Sequence, residues 1–304
     1  MDLRARSFAV VLLAATLWGL SGTAAQGLFD LYGFPPLGLV TLRMLLSAAI
    51  LLAVVRPSFP RGSALHLLVF SVLGLLAVQV TYFLAIANSN APTATLLQSL
   101  ALPMMAIYEW FLPRARRTVL VAASVGLAFV GTLVLTVGGT GGHLAVSFLG
   151  VTFGVLSALT AAYYTIDSRP LVQRHGAWAI TAWGMLIGGL LSLPLGAPGL
   201  AQYLLHPPAT GGMDILLLTL FVVVAGTLVP FGLYLQGRDR LSAIEAGVAG
   251  TMEPVSAAVV AFVVLGVVLQ PLQYLGGALM LVAVVLIAGA RPPKPPDVSR
   301  PPKG

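Results

Sequence analysis

The sequence contains no cysteine and very little charge. Without cysteine there can be no disulfide bonds, no thiol catalysis and no thiolate metal sites. Only 8% of the 304 residues are charged, whereas 58% are hydrophobic; an average soluble domain has about 25% charged residues. A water-soluble chain of this composition would expose large apolar patches and aggregate. The composition is therefore typical of a protein embedded in a lipid bilayer.

Recognisable catalytic and nucleotide-binding motifs are also absent from the sequence. The four histidines fall in or beside predicted loops and never form a spaced pair, and no cluster of His, Asp and Glu has the spacing of metal ligands. There is neither a Gly-x-Ser-x-Gly nucleophile elbow nor a Walker phosphate loop. We therefore predict that the protein is not an enzyme and that it uses no metal and no cofactor.

The net charge of +7 raises the question of a nucleic-acid partner. Such a partner requires basic residues clustered on a water-facing domain. Here the basic residues are spread thinly between apolar blocks, so the bilayer explains them better. The expected partners are a small-molecule substrate and the bilayer, with no nucleic acid. The oligomeric state is left open, and a monomer is compatible with the sequence.

Ten apolar blocks alternate with breaks rich in proline, glycine and polar residues. Each block is close to the ~20 residues that a helix needs to cross the bilayer. The first block follows Arg4 and Arg6, but it is too long for a signal peptide and lacks a good cleavage site, so we predict a retained helix. The ten predicted helices lie near 8–28, 36–55, 65–87, 93–112, 118–137, 147–166, 177–195, 214–235, 242–267 and 272–290.

The basic residues also predict the topology of these helices. Fifteen of the sixteen Lys and Arg residues lie at the chain start, in the even-numbered breaks or in the tail, and Arg43 is the exception. The positive-inside rule therefore predicts a multi-pass membrane protein with both termini in the cytoplasm. The tail, 291–304, is basic and rich in proline, so we expect it to be disordered.

Two similar stretches of sequence indicate an internal repeat. Ala-Leu-Pro at 101–103 and Met-Glu-Pro at 252–254 lie 151 residues apart, and each follows a helix that ends in an aromatic stretch, at 81–84 and 232–235. The alternative is a chance likeness between apolar segments. Because five is an odd number, a duplicated five-helix half must insert upside down. We predict an all-α membrane protein with ten transmembrane helices, built as two inverted five-helix repeats, 1–140 and 141–290, an architecture typical of secondary transporters.

Five short segments carry a resemblance to known proteins: Leu17-Trp18-Gly19, Leu42-Arg43, 94–103, Glu253-Pro254 and Leu275-Gly276-Gly277-Ala278. With these segments in this order, the chain resembles the drug/metabolite transporter superfamily, in particular its ten-helix exporters of aromatic and neutral amino acids. The resemblance implies export of such amino acids or of similar metabolites across the bacterial inner (plasma) membrane. Family members often carry a glutamate about a dozen residues after each proline. Here those places fall near Ala115 and Val267, so no acidic role is expected there.

Charged residues inside predicted helices are the sharpest candidates for a site, because each costs about 2.5–3.5 kcal/mol to insert. Arg43 could hold a substrate carboxylate with two hydrogen bonds, or it could bond helix ends or an acidic side chain. Glu253 lies beside Pro254 in the predicted middle of its helix, where it could bind an amino group or cap broken backbone. Glu109 lies about one turn from Arg114, so it is expected to pair there or to face the cytoplasm.

Neutral polar and aromatic residues within the predicted helices complete the candidate site. An unpaired amide is costly in lipid, so the glutamines are expected to face the interior of the bundle. Ser21, Gln26, Ser99 and Tyr164 belong to this wider polar set. The candidate substrate-binding residues are Trp18, Arg43, Gln79, Tyr82, Gln98, Tyr163, Trp183, Tyr234 and Glu253, and the candidate hinges are Pro103 and Pro254.

These expectations converge on secondary transport. We predict alternating access through a central cavity, in which one set of helices rocks against the other. Two other classes remain open at this stage. A channel-like facilitator would differ only in lacking coupling to a gradient, and a membrane-embedded enzyme would need convergent His, Asp and Glu groups that the sequence does not offer. The exact substrate and the coupling ion are not determined by the sequence.

Overall fold

The computed structural model describes residues 3–111, 119–137, 146–238, 241, 246 and 249–289. Of a few residues inside the helices, Glu109 among them, it describes the backbone only. The predictions made for the Glu109 side chain, for Arg114 and its neighbours Arg116 and Arg117, and for the tail 291–304 therefore lie outside the described residues.

All regular structure in the described ranges is helical, as the composition predicted. Two long helices are each interrupted by a short π-helical segment, at Ser71–Leu76 and at Val224–Leu228. The α-helices are α1 (Leu3–Tyr32), α2 (Pro36–Val55), α3 (Ala64–Phe70), α4 (Ala77–Ala87), α5 (Ala91–Gln98), α6 (Ala101–Trp110), α7 (Val119–Val137), α8 (Phe148–His175), α9 (Ala177–Leu205), α10 (Gly212–Val223), α11 (Val229–Arg238), α12 (Met252–Leu265) and α13 (Pro271–Gly289).

The helix ends follow local sequence signals. Helix α2 begins at Pro36, where a missing N–H is harmless because the first turn has no intrahelical acceptor for it. The side chains of Asn90 and Ser147 accept hydrogen bonds from the first turns of α5 and α8, at 2.9 and 3.0 Å. Gly176, at φ +82°, separates α8 from α9 in a conformation that favours glycine.

Helix α8 extends beyond its predicted end at residue 166, to His175. The polar run after Ile166 suggested a loop, but tertiary contacts stabilise the two extra turns. Asp167 lies 3.0 Å from the His66 ring, and Ser168 accepts a hydrogen bond from Arg238 at 3.0 Å. Long-range bonds have here overridden a local preference.

Seven helical segments among the described residues are long and apolar enough to cross a membrane: Ala5–Tyr32, Pro36–Val55, Arg61–Ala87, Val119–Thr136, Phe148–His175, Ala177–Leu205 and Gly212–Arg238. Two shorter apolar helices follow, Met252–Leu265 and Pro271–Leu286, and the predicted fourth span is divided into α5 and α6. Large apolar side chains such as Val54, Leu133 and Val263 point outward at more than 60% exposure. The protein is therefore a multi-pass membrane protein, and its count of ten spans stays a prediction.

Two pairs of helices pack closely and antiparallel. On α2 and α9, Thr41 lies against Ser192, with hydroxyl oxygens 2.8 Å apart, and Leu45 lies against Gly189. On α7 and α13, a Cβ added to Gly276 would collide with the backbone of Leu135. Such glycine contacts bring helix backbones close together, as is common in membrane proteins.

Two further contacts are parallel and surround the centre of the bundle. Helix α1 packs along α12, where Gly19 touches the Glu253 carbonyl and Thr23 donates a hydrogen bond to the Ala257 carbonyl at 3.3 Å. Helix α8 packs along α5 and continues along α6, with Gly154 against Leu97. The long helix α1 therefore packs along α12, and the long helix α8 packs along α5 and α6.

Candidate functional site

Two helix starts meet at the centre of the bundle. After α5 ends at Gln98, the chain turns and α6 begins at Ala101, which places Pro103 in a first turn. After the turn at Thr251, α12 begins at Met252, which places Glu253 and Pro254 in a first turn as well.

This arrangement corrects the prediction that Glu253 and Pro254 lie in the middle of one continuous helix over 242–267. Thr251 is a turn residue, and the helix starts anew after it. A proline is tolerated in a first turn because its missing N–H would have no acceptor there. The carboxylate of Glu253 also suits a helix N-terminus, where the macrodipole stabilises negative charge. The hinge role of both prolines stays a prediction.

A cavity lies between these two helix starts and the long helices. Its volume is about 140 Å³, so it can hold a small metabolite. Seven of the nine predicted substrate-binding residues line it: Trp18, Arg43, Gln79, Tyr82, Gln98, Tyr234 and Glu253.

Arg43 is the basic group of the cavity. It is only 3% exposed, and its guanidinium carbon lies 3.8 Å from the centroid of the Phe83 ring, a cation–π contact. Its Nε has no hydrogen-bond partner among the residues that the structure describes. One face of the guanidinium is thus held by an aromatic ring at the wall of the cavity.

Glu253 is the acidic group of the same cavity, and Tyr82 lies near both charges. The Tyr82 hydroxyl interacts with the Glu253 carboxyl group and, electrostatically, with Arg43. That hydroxyl lies directly over Gly22, where any Cβ would collide with it. Glycine at position 22 therefore leaves the space that the Tyr82 side chain needs to reach the cavity.

The two glutamines are anchored on one side and open on the other. Gln79 donates from Nε2 to the Met185 sulfur at 3.3 Å, and its Oε1 lacks a partner in the described part of the chain. Gln98 donates from Nε2 to the Ser157 hydroxyl at 2.8 Å. Each amide is thereby oriented by the hydrogen bond that its nitrogen donates.

Four aromatic rings form one wall of the cavity, which we call the aromatic wall: Trp18, Tyr164, Phe231 and Tyr234. The Trp18 ring centroid lies 5.0 Å from that of Phe231 and 5.1 Å from that of Tyr234. Tyr164 stacks on Tyr234 at 6.0 Å. These offset and edge contacts are favourable arrangements for aromatic rings, so the rings stabilise one another's positions.

Two predicted residues lie away from the cavity. Tyr163 donates its hydroxyl to Asp167 at 2.9 Å, and Trp183 donates its ring N–H to the Pro57 carbonyl at 3.2 Å. Neighbouring helical residues point about 100° apart, so only one of Tyr163 and Tyr164 can face inward, and it is Tyr164. Phe231 also lines the cavity, but an apolar residue in an apolar helix gave no sequence signal.

Unpaired polar atoms are concentrated around the cavity. Ten buried side-chain N or O atoms in the described ranges have no hydrogen-bond partner there, and six belong to cavity-lining residues. Native proteins pair nearly all such groups. The wall of the cavity therefore contains polar groups that the described part of the chain does not pair. The six residues are Trp18, Ser21, Arg43, Gln79, Tyr82 and Tyr164.

Polar contacts also join long helices at the two ends of the bundle. At the end where α1 begins, His66, Tyr163 and Asp167 meet, with the His66 ring nitrogen 3.0 Å from the Asp167 carboxylate. At the opposite end, Tyr32 donates its hydroxyl to Asp214 at 3.2 Å. Polar contacts between helices thus lie at both ends of the bundle.

The sequence profile of the EamA-like transporter family matches the chain twice, over residues 6–137 and 148–289. The chain is 33% identical over 289 residues to the inner membrane transporter YicL of Salmonella typhimurium, an alignment that covers 91% of this chain and 93% of that protein. It is 28% identical over 275 residues to the threonine/homoserine exporter RhtA of Escherichia coli, with 88% and 86% covered.

One solved crystal structure of a protein has the same fold. Its TM-score is 0.63 at 18% identity, and the match covers 93% of this chain and 96% of that one. At this identity the likeness concerns the fold alone. The fold and the two family matches agree in spanning nearly the whole chain.

Proposed function

The chain belongs to the EamA-like transporter family, and from that premise we propose that it exports neutral or aromatic amino acids, or similar small metabolites. One observation carries this proposal: Arg43 and Glu253, two groups of opposite charge, line a single cavity of about 140 Å³. An amino acid is a zwitterion, so its two charged groups need two opposite charges within the length of a small molecule.

In the proposed complex, the guanidinium of Arg43 binds the substrate carboxylate, an interaction that favours two parallel hydrogen bonds. Glu253 receives the substrate ammonium, and Tyr82 lies within electrostatic range of both protein charges. From the sequence, Arg43 and Glu253 were expected at different depths. They nevertheless line the same cavity, which supports binding of both charged groups of one ligand.

The similarity to an exporter of threonine and homoserine supports the amino acid class and the outward direction. We further propose that the protein lies in the inner membrane with both termini in the cytoplasm, as the distribution of basic residues predicts. Transport then moves an amino acid from the cytoplasm to the outside.

We also propose the architecture of ten spans in two inverted repeats, 1–140 and 141–290. Two observations support it. The family profile matches once in each half, and helices that occupy equivalent places in the two halves, α2 with α9 and α7 with α13, pack antiparallel. Antiparallel counterparts are what a two-fold axis in the membrane plane generates.

Alternating access is the proposed mechanism, and the polar contacts at the two ends of the bundle are its proposed gates. Separating His66 from Asp167 would release α3 from α8 at one end, and separating Tyr32 from Asp214 would release α1 from α10 at the other. Opening one end while the other stays closed exposes the cavity to one side at a time.

The test is transport by the purified protein in sealed lipid vesicles, with labelled threonine and phenylalanine, with and without a proton gradient. We expect saturable flux that Arg43→Gln abolishes, while Arg174→Gln, which removes a positive charge at the end of α8, leaves it unchanged. Flux equal to that of empty vesicles for every amino acid tested would overturn the proposal.

The same vesicles separate the two alternative classes. A channel-like facilitator would give the same flux with and without the proton gradient, and this would also hold for the Glu253→Gln variant. A membrane-embedded enzyme would release a chemically altered product, which mass spectrometry of the transported material detects. We expect gradient-dependent flux of an unaltered amino acid.

A further inference from the structure

We infer that the π-helical segments Ser71–Leu76 and Val224–Leu228 are a pair of register switches. Each segment alternates between π-helix and α-helix and thereby turns the side chains that follow it into and out of the cavity. This inference rests on the alternating access of the proposed function, for which it supplies the movement. It does not depend on which solute is carried.

The two π-helical segments occupy equivalent places in the two halves of the chain. Their last residues, Leu76 and Leu228, lie 152 residues apart, and so do their glycines, Gly74 and Gly226. A π-helical turn is a rare irregularity that is frequent at functional sites. The same irregularity at the same place in both halves indicates a role that both halves need.

Each segment is followed by two cavity-lining residues at the same spacing, three and six residues after its last residue. These residues are Gln79 and Tyr82 in the first half and Phe231 and Tyr234 in the second. A helix that turns about its axis carries all its side chains with it. The π-helical segment before each pair therefore determines whether that pair faces the cavity.

Each segment also packs against the long first helix of the opposite half, at a residue that lines the cavity. A Cβ added to Gly74 would lie 3.5 Å from the Cα of Tyr164 on α8, and one added to Gly226 would collide with Ser21 on α1. Because glycine brings no side chain to these contacts, the segment can turn there without disengaging one. A turn of either segment therefore takes place at the contact between the two halves.

Hydroxyl side chains stabilise both segments in the π-helical form. The Ser71 hydroxyl donates to the Leu67 carbonyl at 2.6 Å, and the Thr227 hydroxyl donates to the Val222 carbonyl, five residues back, at 2.8 Å. The extra residue of a π turn disturbs the usual backbone hydrogen bonds, and such side-chain donors replace them. An α-helix pairs the same carbonyls through its backbone, so neither form leaves them unpaired in the membrane.

Conversion of a segment to α-helix would turn the helix after it by about 100° and advance it by about 1.5 Å, the step of one residue. Each residue of that helix would then take the place of its successor. Thr81 would replace Tyr82 at the cavity wall, and Leu233 would replace Tyr234. Val80 faces the cavity in neither form, because neither position 80 nor position 81 lines it.

The absence of cysteine from the sequence makes single cysteines a direct test of this movement. In the detergent-solubilised full-length protein, Thr81→Cys and Leu233→Cys should both react with a water-soluble maleimide, because each residue reaches the cavity in one form. The thiolate is the reactive species and needs water around it. Val80→Cys is the matched control and should not react.

Deletion of one residue tests the role of each segment. A chain without Leu73, an exposed residue of the first segment, can form a continuous α-helix without turning the helix that follows, so it stays in the form described above. Thr81→Cys should then react at least about tenfold more slowly, whereas Leu233→Cys should react as before. Deletion of Val224, which is also exposed, should give the reverse pattern. Leu73→Ala keeps the chain length and should change neither rate.

The outcomes distinguish the register switch from the proposed function. Unchanged reaction of Thr81→Cys after deletion of Leu73 would overturn the switch. If gel filtration shows that neither deletion variant folds, the undeleted chain decides, and the switch is overturned when position 81 or 233 reacts no faster than position 80. The expected cysteine pattern without flux of any amino acid in vesicles would overturn the proposed function alone.

Discussion

The helix starts at Ala101 and Met252 occupy equivalent places, 151 residues apart, and they face the same cavity. The second residue of α6 is Leu102, which is 5% exposed, whereas the second residue of α12 is Glu253. The two starts share a backbone arrangement and a proline in the third position, but only one brings a charge.

The same contrast holds for the opposite charge. Arg43 lies on α2, whereas α9, the corresponding helix of the other half, contains no charged residue; its Gly184 packs against Leu75. The first half therefore contributes Arg43 and the second half contributes Glu253. In each case the other half has no charged residue at the corresponding place. The repeated elements supply the shape of the cavity, and residues that differ between the halves make it polar at particular places.

The largest effect should come from the residues that distinguish the two helix starts. Glu253→Gln removes the only acidic carboxylate known to line the cavity in the described residues, and we expect substrate affinity to fall about 100-fold, because a buried charge pair loses one member. Leu102→Gln, an amide at the equivalent place, should cost less than about tenfold.

Affinity in this comparison is measured by competition for transport in vesicles. The double variant with Leu102→Glu and Glu253→Leu sharpens the comparison of the two helix starts. It moves the one carboxylate to the other half of the chain and leaves the net charge unchanged. Since Tyr82 lies near position 253, we expect the double variant to remain defective. Recovery of affinity would show that the two helix starts are interchangeable.

A smaller effect is expected from Arg43→Lys, which keeps the charge but loses the planar fork. Substrate affinity should fall about tenfold, because an ammonium cannot make two parallel hydrogen bonds to a carboxylate or stack as well on the Phe83 ring. Gly184→Ala on α9 is the counterpart variant, and it should affect packing rather than affinity. Isothermal titration with substrate distinguishes the two variants, because Arg43→Lys should lower the affinity and Gly184→Ala should not.

The two prolines should have smaller and similar effects. Pro103 and Pro254 both lie in first turns, so replacing either by alanine should change the free energy of unfolding by less than about 1 kcal/mol. If both act as hinges, turnover should fall by the same few-fold factor with affinity unchanged. A loss confined to one proline would contradict equivalent roles for the two halves.

The smallest effect is expected at Trp183. Its ring N–H bonds to the Pro57 carbonyl and its ring meets Phe59 edge-on at 5.0 Å, away from the cavity. Trp183→Phe should therefore leave substrate affinity within about twofold, whereas Trp18→Phe should weaken it. Fluorescence quenching by threonine checks this directly, because quenching should survive in the first variant and diminish in the second.

Much of the fold could be predicted from the sequence, because burial in lipid leaves a strong and regular signal. Helix positions followed from the lengths of the apolar blocks, and the predicted starts at residues 36 and 177 agree with those of α2 and α9. The break at Thr251 did not follow, because an apolar stretch on both sides of a turn looks like one helix. Nor did the extension of α8 past Ile166, which depends on partners distant in sequence.

The candidate site divides in the same way. The sequence by itself determined that polar groups such as Gln79 and Arg43 face the protein interior, because lipid offers them no hydrogen bonds. Only the tertiary structure decided which of them share one cavity. It distinguished Tyr164 from Tyr163 through the rotation of α8, and it set Arg43 and Glu253 on one cavity although they lie in different halves of the chain. Periodicity describes one helix at a time, whereas a cavity is formed by contacts between helices.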